Sequence, residues 1–322
     1  MAQAYYVPKK LIDILHERGY TDSEFRIDRL YRQYTSPNKK SVMTKAGFYH
    51  FPFISSFAKS LSKDKMRSYN FAESLGFKIP QTLQTSSLER ATEFLYKNKR
   101  IISKPLHKSG GQGLTVDITK TNQLEGALQA AEFDGVAPLL QEQFIGEEIR
   151  LTVLRGVVVS VILRRSPRVI GDGTQTISQL IAGENDLRRK LSFPFLSYPQ
   201  LSSENIAKEY MDSTAVLAAD QVLELSKTTM IKHGASFYGV SDAVHPSYVK
   251  IATELASRLN PAMLIIDLMV KNYTDEASDD NYVFLEFNTS PSLIVYSSLR
   301  AGDQPDVPSM LADMLDEYSS IY

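Results

Sequence analysis

The chain is 322 residues long, 43% hydrophobic and 23% charged, which gives material for a large core and a length that suggests two or three lobes. A formal net charge of −1 argues against a protein of nucleic-acid or membrane surfaces, and the lack of cysteine excludes disulfides, thiolate nucleophiles and thiolate metal sites. The opening MAQAYYVPKKLIDILHERGY has no signal-peptide core and no apolar run reaches the ~20 residues of a membrane span, so a cytoplasmic protein with no membrane or nucleic-acid partner is expected.

Residues 1–60 are polar and mixed, with a helical stretch at KLIDILHERG and a Pro-Asn-Lys-Lys turn, and read as a short accessory lobe. In LSKDKMRSYNFAESLGFKIP the spacing predicts a helix that Ser62 caps, with Met66, Tyr69, Ala72 and Leu75 on one face, Gly76 at its end and Pro80 beyond. A second helix, SLERATEFLYKN, leads into the short strand RIISKP. Leu114, Val116 and Ile118 alternate as in a strand, NQLEGALQAAEF returns as a helix, and PLLQEQFI is a further strand. EIRLTVLRGVVVSVILRR is expected to form a hairpin turning at Arg155-Gly156, with a tight GDG turn after it at 171–173. Residues 186–212, with several Pro and Ser, are read as an irregular surface excursion. The helix YVKIATELASRL precedes the apolar strand AMLIIDLMV, which is expected to pair antiparallel with YVFLEFN across the polar turn YTDEASDDN.

Three stretches carry chemistry. Glu286 and Asn288 lie two apart in YVFLEFN and so point the same way, roughly 7 Å apart along the strand. If the two strands pair, Asp267 joins them and three hard oxygen donors face one pocket, a set that suits magnesium, with its octahedral shell at ~2.0–2.1 Å. A solvated sheet face is the plain alternative. The Ser-Pro turn that follows, able to bring backbone donors beside an ion, favours the metal.

In IISKPLHKSGGQGLTVDI a strand delivers Lys104 into a loop with Gly110, Gly111 and Gly113, where backbone N–H groups can approach phosphate oxygens. The spacing is neither that of a P-loop nor of a Rossmann turn, and a glycine-rich hairpin is the alternative. In LLQEQFIGEEIRL, Glu142 and Glu148 flank a turn at Gly146, and the backbone from Gln143 to Ile145 can pair with an adenine edge. Arg150, Arg164, Arg165 and Arg168 follow as a clamp for carboxylate or phosphate, or as an edge-strand charge pattern. His107, His233 and His245 have no metal-ligand spacing.

Taken in order, these segments resemble the ATP-grasp superfamily of carboxylate-amine ligases over about residues 60 to 305. SKDKMRSYNFAESLGFKIPQT looks like the opening helix, with Lys65 as the first ATP lysine, and IISKP supplies the second at Lys104. QEQFIGEEIRL resembles the adenine and ribose segment, which implies Glu142, Gln143 and Ile145 near adenine and Glu148 on the ribose. FLEFNTSPSL resembles the acidic-strand motif, which implies Asp267, Glu286 and Asn288 as magnesium ligands, while Arg150, Arg165 and Lys104 are the implied catalytic charges. SPRVIGDGTQTISQLIAGEND and GVSDAVHPSY resemble more closely the modules of cyanophycin synthetases and bifunctional glutathione synthetases; D-alanine:D-alanine ligases are a more distant likeness.

The resemblance implies an α+β fold of two lobes clamping a nucleotide: 61–140 as the small lobe, 141–322 as the large lobe with its insertion at 186–212, and 1–60 as the accessory lobe. It implies ATP with one or two magnesium ions, manganese being an allowed substitute. The implied partners are a small carboxylate and an amine, amino acids or a peptide, and the implied product is an amide formed through an acylphosphate; a homodimer is compatible with such ligases. Where those relatives carry R-E-N/T-x-N-x-S-T-G-G this chain reads ELSKTTMIKHGAS, with Lys227, Lys232 or His233 as the available positive charge, and HKSGGQG replaces a D-G-N-x-G-x-G loop. These departures keep two other classes open: a ligase that adds amino acids to a polypeptide, and a nucleotide-binding pseudoenzyme.

Overall fold

The computed structural model describes residues 9–26, 30–38, 41–45, 55–108, 110–190, 200–201, 212–259, 262–289, 295–296 and 298–321. Helix α1 (Lys9–Glu17) is followed by an antiparallel sheet of β1 (Thr21–Arg26), β2 (Leu30–Thr35) and β3 (Ser41–Lys45). Next come α2 (Ser56–Ser62) and α3 (Lys65–Ser74). The expected cap of α3 is corrected here. Ser62 ends α2, where its hydroxyl donates to Lys59 O (3.1 Å), and Asp64 caps α3 by accepting from the Arg67 N–H (3.1 Å). Tyr69 and Ala72 are buried, with Met66 and Leu75 packed beside them, as the helical spacing requires.

The small sheet is built from β4 (Thr82–Gln84), α4 (Leu88–Asn98), β5 (Ile101–Lys104), β6 (Thr115–Ile118), α5 (Leu124–Ala131) and β7 (Leu139–Glu142), in strand order β4-β7-β5-β6 and antiparallel throughout. Its helices seal one face: Ala91 and Leu95 of α4 and Leu124, Ala127 and Leu128 of α5 enclose Ile101, Ile118 and Leu140.

The remaining elements are β8 (Glu147–Leu154), β9 (Val157–Arg165), β10 (Arg168–Ile170), α6 (Ile177–Lys190), β11 (Val222–Glu224), β12 (Ser236–Gly239), α7 (Pro246–Leu259), β13 (Met263–Val270), β14 (Tyr282–Asn288), β15 (Leu299–Ala301) and α8 (Val307–Ile321). Six of the strands form one sheet, β14-β13-β8-β9-β12-β15, in which only β12 and β15 run parallel. The expected hairpin is present. Arg155 and Gly156 both take positive φ (50° and 80°), the left-handed pair that lets two residues join strands of right-handed twist. The expected excursion is corrected at its start, because α6 stays helical through Lys190; residues 191–199 and 202–211 of it lie outside the described residues.

One face of this sheet packs on α7. Ile149, Leu151, Val161, Leu163, Ile266 and Phe284 alternate onto it, with Leu255 and Ala256 opposite. Helices α2 and α3 join that core through Ala58 and Tyr69, whose ring meets Phe284 edge-on at 6.2 Å, so by packing the helix pair goes with the large sheet as well as the small one. The accessory segment shares a core too: Leu11, Leu15 and Tyr34 pack with Met263, Ile265, Leu311 and Leu315, and Lys10 and Arg18 pair with Asp306 (2.6 Å) and with Asp313 (2.7 Å) and Asp316 (2.5 Å) of α8. Among the described residues no helix is long and apolar enough to cross a membrane.

Candidate active site

The other face of the large sheet carries charge in register. Glu148 lies opposite Arg164, Arg150 opposite Asp267, and Asp267 opposite Glu286. Two bulges set this alignment: Val159 is left over between the Thr152↔Ser160 and Val153↔Val158 pairs, and Leu285 between Asp267↔Glu286 and Leu268↔Phe284. This is no solvated face, because Asp267 is only 2% exposed and Glu148 7%. Arg150 donates from Nε and Nη2 to the two oxygens of Asp267, each at 2.7 Å, and Arg164 stands 3.7 Å behind. Burial alone pushes the Asp267 carboxyl up, but the Arg150 charge and its hydrogen bonds outweigh it and hold the group below the usual carboxylate range. Glu148 is raised, chiefly by burial, although Arg164 pairs with it and the Thr229 hydroxyl donates to it. Glu286 accepts from Asn288 Nδ2 at 3.1 Å, as expected of residues two apart on a strand.

Facing this row is the glycine loop. Lys65, in the first turn of α3, donates to Leu106 O (3.2 Å) and Lys108 O (2.6 Å) and so ties the loop to the helix pair. Lys104, at the end of β5, donates to the Tyr69 hydroxyl (2.8 Å). Burial lowers both lysines to about 8; the neighbouring Lys104 charge adds to the effect at Lys65, and Glu286 opposes it at both. Tyr69 is itself raised by burial and by Glu286.

Between the two sheets is a cavity of about 350 Å³ that gathers Lys65, Lys104, Gly110, Gly111, Glu142, Gln143, Glu148, Arg150, Asp267 and Glu286. Its apolar wall is Ile102, Leu114, Val116, Phe144, Met269 and Leu285. Most of the expected site therefore converges. Glu142 accepts from the Gln81 N–H (3.3 Å), and Gln143 Oε1 accepts from the Asp117 N–H (2.7 Å).

Four expected residues do not line this cavity. Gly113 faces α5, where an added Cβ would collide with Ala130 O. Ile145 is 61% exposed. Arg165, on the opposite side of its strand from Arg164, donates to Glu147 (2.8 Å) and lies over the Tyr238 ring at 5.5 Å. Asn288 lines a neighbouring cavity that shares Glu286. The Ser-Pro turn expected to supply backbone donors lies outside the described residues, as does the side chain of Lys232.

The cavity also holds groups that carried no role in the sequence: Lys108, Thr228, Thr229, Met230, and Arg164, which stood only as one of four clustered arginines. Residues 226–230 form a strap across it. Lys227 pairs with Asp117, Thr229 bonds Glu148 while its carbonyl accepts from Arg164 Nη2 (2.9 Å), and Met230 fills the space where Gly111 would carry a side chain. Gly111 also has φ +66°, so two separate demands fall on that glycine.

Residues 64–193 match the family model described as the ATP-grasp domain of prokaryotic glutathione synthetase. The crystal structure of a bifunctional glutathione synthetase from Pasteurella multocida superposes with a TM-score of 0.69, covering 96% of this chain and 43% of that one at 19% identity. The chain has the ATP-grasp fold. Among curated relatives, the glutathione biosynthesis bifunctional protein GshAB of Pasteurella multocida is 22% identical over 86% of this chain, and that of Streptococcus agalactiae serotype V is 26% identical over 69%. The chain spans 37% and 31% of the length of these two relatives. In this ATP-grasp molecule the two sheets that enclose the cavity are the small four-stranded one and the large six-stranded one, and the match at 64–193 runs across both, from α3 to the end of α6.

Proposed function

We propose that the chain is an ATP-dependent ligase that joins a carboxylate to an amine, acting on amino acids or a peptide. The observation that carries this is the meeting, in one cavity, of two buried lysines with depressed pKa and a buried row of arginine and carboxylate charges from the facing sheet. Lys65 and Lys104, largely removed from water with no carboxylate paired to either among the described residues, ask for an anionic ligand, and they lie with the Asp267-paired Arg150 where a polyphosphate would meet them. The apolar wall beside Glu142 and Gln143 suits a base, and Glu148 suits a ribose hydroxyl.

The chemistry follows from charge. A carboxylate oxygen of the first substrate attacks the terminal phosphorus of ATP, the bond to the bridging oxygen breaks, and ADP leaves. The amine then adds to the carbonyl carbon of the acylphosphate, phosphate departs, and the nitrogen gives up a proton to phosphate or water. The protein positions the partners and neutralises charge, with Lys104 and Arg150 nearest the transferring group.

Glu286 and Asn288, hard oxygen donors held side by side, fit a magnesium ion, which would neutralise phosphate charge and orient the terminal group. Asp267 is the third proposed ligand, but here both of its oxygens are engaged by Arg150, so it joins only when Arg150 turns to a substrate anion. The test is ADP release from MgATP across amino acids, singly and in pairs, with Glu286→Gln alongside. Release that needs a particular pair and is lost in the variant is expected. Retention of magnesium-dependent ATP binding by Glu286→Gln at wild-type strength would remove the metal assignment. ATP binding without release under any pair would turn the reading toward a polypeptide acceptor or a pseudoenzyme.

A further inference from the structure

Asp117 stands apart from the other residues that share its conformation. Among the described residues five that are not glycine have positive φ: Lys99 ends a helix, Asp134, Arg155 and Asp220 lie in turns, and only Asp117, at 61°, is inside a strand. The cause is a bulge. β5 and β6 pair at Ile101↔Ile118 and next at Ser103↔Thr115, so β6 carries one residue more than β5 between the two pairs. A bulge leaves one residue out of the ladder and re-aims what it carries. Here the Asp117 N–H donates to Gln143 Oε1 at 2.7 Å. Gln143 sits beside the start of β5, where its own N–H donates to Arg100 O (3.1 Å), and its side chain reaches over that strand to β6. The Asp117 carboxylate is held from two sides, by Arg100 and by Lys227 of the strap.

These bonds decide which way an amide points. A backbone N–H only donates, so the Gln143 oxygen is turned to Asp117, and its Nε2, which has no hydrogen-bond partner among the described residues, is the group left for a ligand. Gln143 lines the main cavity with Ile102 and Val116 of the apolar wall and with Glu142, whose carboxylate accepts. A donor and an acceptor side by side match the edge of adenine at which N7 accepts and the N6 amine donates; guanine puts an oxygen in place of that amine.

We infer that Asp117 is a positioning residue for the nucleobase: through its N–H it fixes the Gln143 amide so that Nε2 donates to N7 of adenine. The inference rests on the nucleotide reading of the cavity and names one base contact within it. The backbone conformation carries the role, while the carboxylate serves the latch to the strap. Residues that tolerate positive φ should therefore stand in for Asp117, and residues that do not should fail.

Titration calorimetry on the full chain with magnesium compares ADP with 7-deaza-ADP, in which a C–H replaces N7. Wild-type protein is expected to bind ADP roughly three- to tenfold more tightly, the worth of one hydrogen bond. Gln143→Leu should abolish that gap. Asp117→Asn should keep it, because asparagine accepts a left-handed backbone, whereas Asp117→Val should lose it. Adding Asp117→Val to Gln143→Leu should change the ratio no further, which a merely structural role, weakening both ligands alike, does not predict. Asp117→Ala, a milder change of the same kind, takes the place of Asp117→Val if that variant does not fold. A gap absent from wild-type protein, or one that survives Gln143→Leu, takes N7 away from Gln143 and overturns the inference. A gap that survives Asp117→Val, or that Asp117→Asn removes, takes the positioning away from this backbone and overturns it as well. Failure of ADP and magnesium to bind wild-type protein at all would end the nucleotide reading, and this contact with it.

Discussion

Lys65 and Lys104 shed their protons near pH 8 in the free protein, against an ordinary 10.5. A bound polyphosphate restores the proton to each, so the sign of the pH effect follows. Between about 8 and 10.5 binding takes up protons, and affinity is flat below about 8 and falls above it by up to about tenfold per pH unit for each lysine that titrates. Calorimetry in buffers of different ionisation heat measures the uptake directly, and Lys104→Met should remove part of it. The stability of the free fold moves the other way. Across the same window the unfolded chain holds protons that the native lysines have released, so their contribution makes unfolding harder as pH rises. Asp267 makes a different demand on the same site: Asp267→Asn leaves Arg150 buried without its counter-charge and should cost about 3–5 kcal/mol in denaturant unfolding, part of which Asp267→Asn/Arg150→Met recovers.

At the scale of elements, the strap and the glycine loop can be tested as a pair. Gly111→Ala should weaken nucleotide binding, because it brings a methyl group into Met230 and strains a left-handed backbone. Adding Met230→Ala relieves the collision and leaves the strain, about 1 kcal/mol, so affinity should recover only in part. The elements themselves were largely legible, since apolar runs marked β13 and β14 and the Arg-Gly pair marked the hairpin. What escaped was phase. Counted back from the turn without a bulge, Glu148 meets Leu163; the extra residue at Val159 brings Arg164 there instead and sends Arg165 to the far side. A one-residue bulge has no composition of its own, so the choice between adjacent arginines could not be read. The cap of α3 was lost for a similar reason. Ser62 and Asp64 are both good caps, and only the two-residue break between α2 and α3 decides between them.

At the scale of the molecule, the accessory segment shares a core with the large sheet, which its polar composition concealed: Leu11 and Leu15 of α1 are fully buried, with Ile12 and Ile14 packed partly buried beside them. Leu11→Ala should therefore cost about 2–5 kcal/mol, and nucleotide protection and bulk structure should be lost in one denaturant transition rather than two. The strap has a consequence of another kind. With Met230 occupying the space above Gly111 and Lys227 latched to Asp117, part of the nucleotide cavity is roofed by the protein's own chain. Arrival of a nucleotide then cannot be a simple collision. Its observed association rate should level off at high concentration instead of rising without limit, and the plateau should be the opening frequency of residues 226–230. Stopped-flow mixing with a fluorescent ATP analogue reads that plateau, and Lys227→Met, which releases one end of the latch, should raise it.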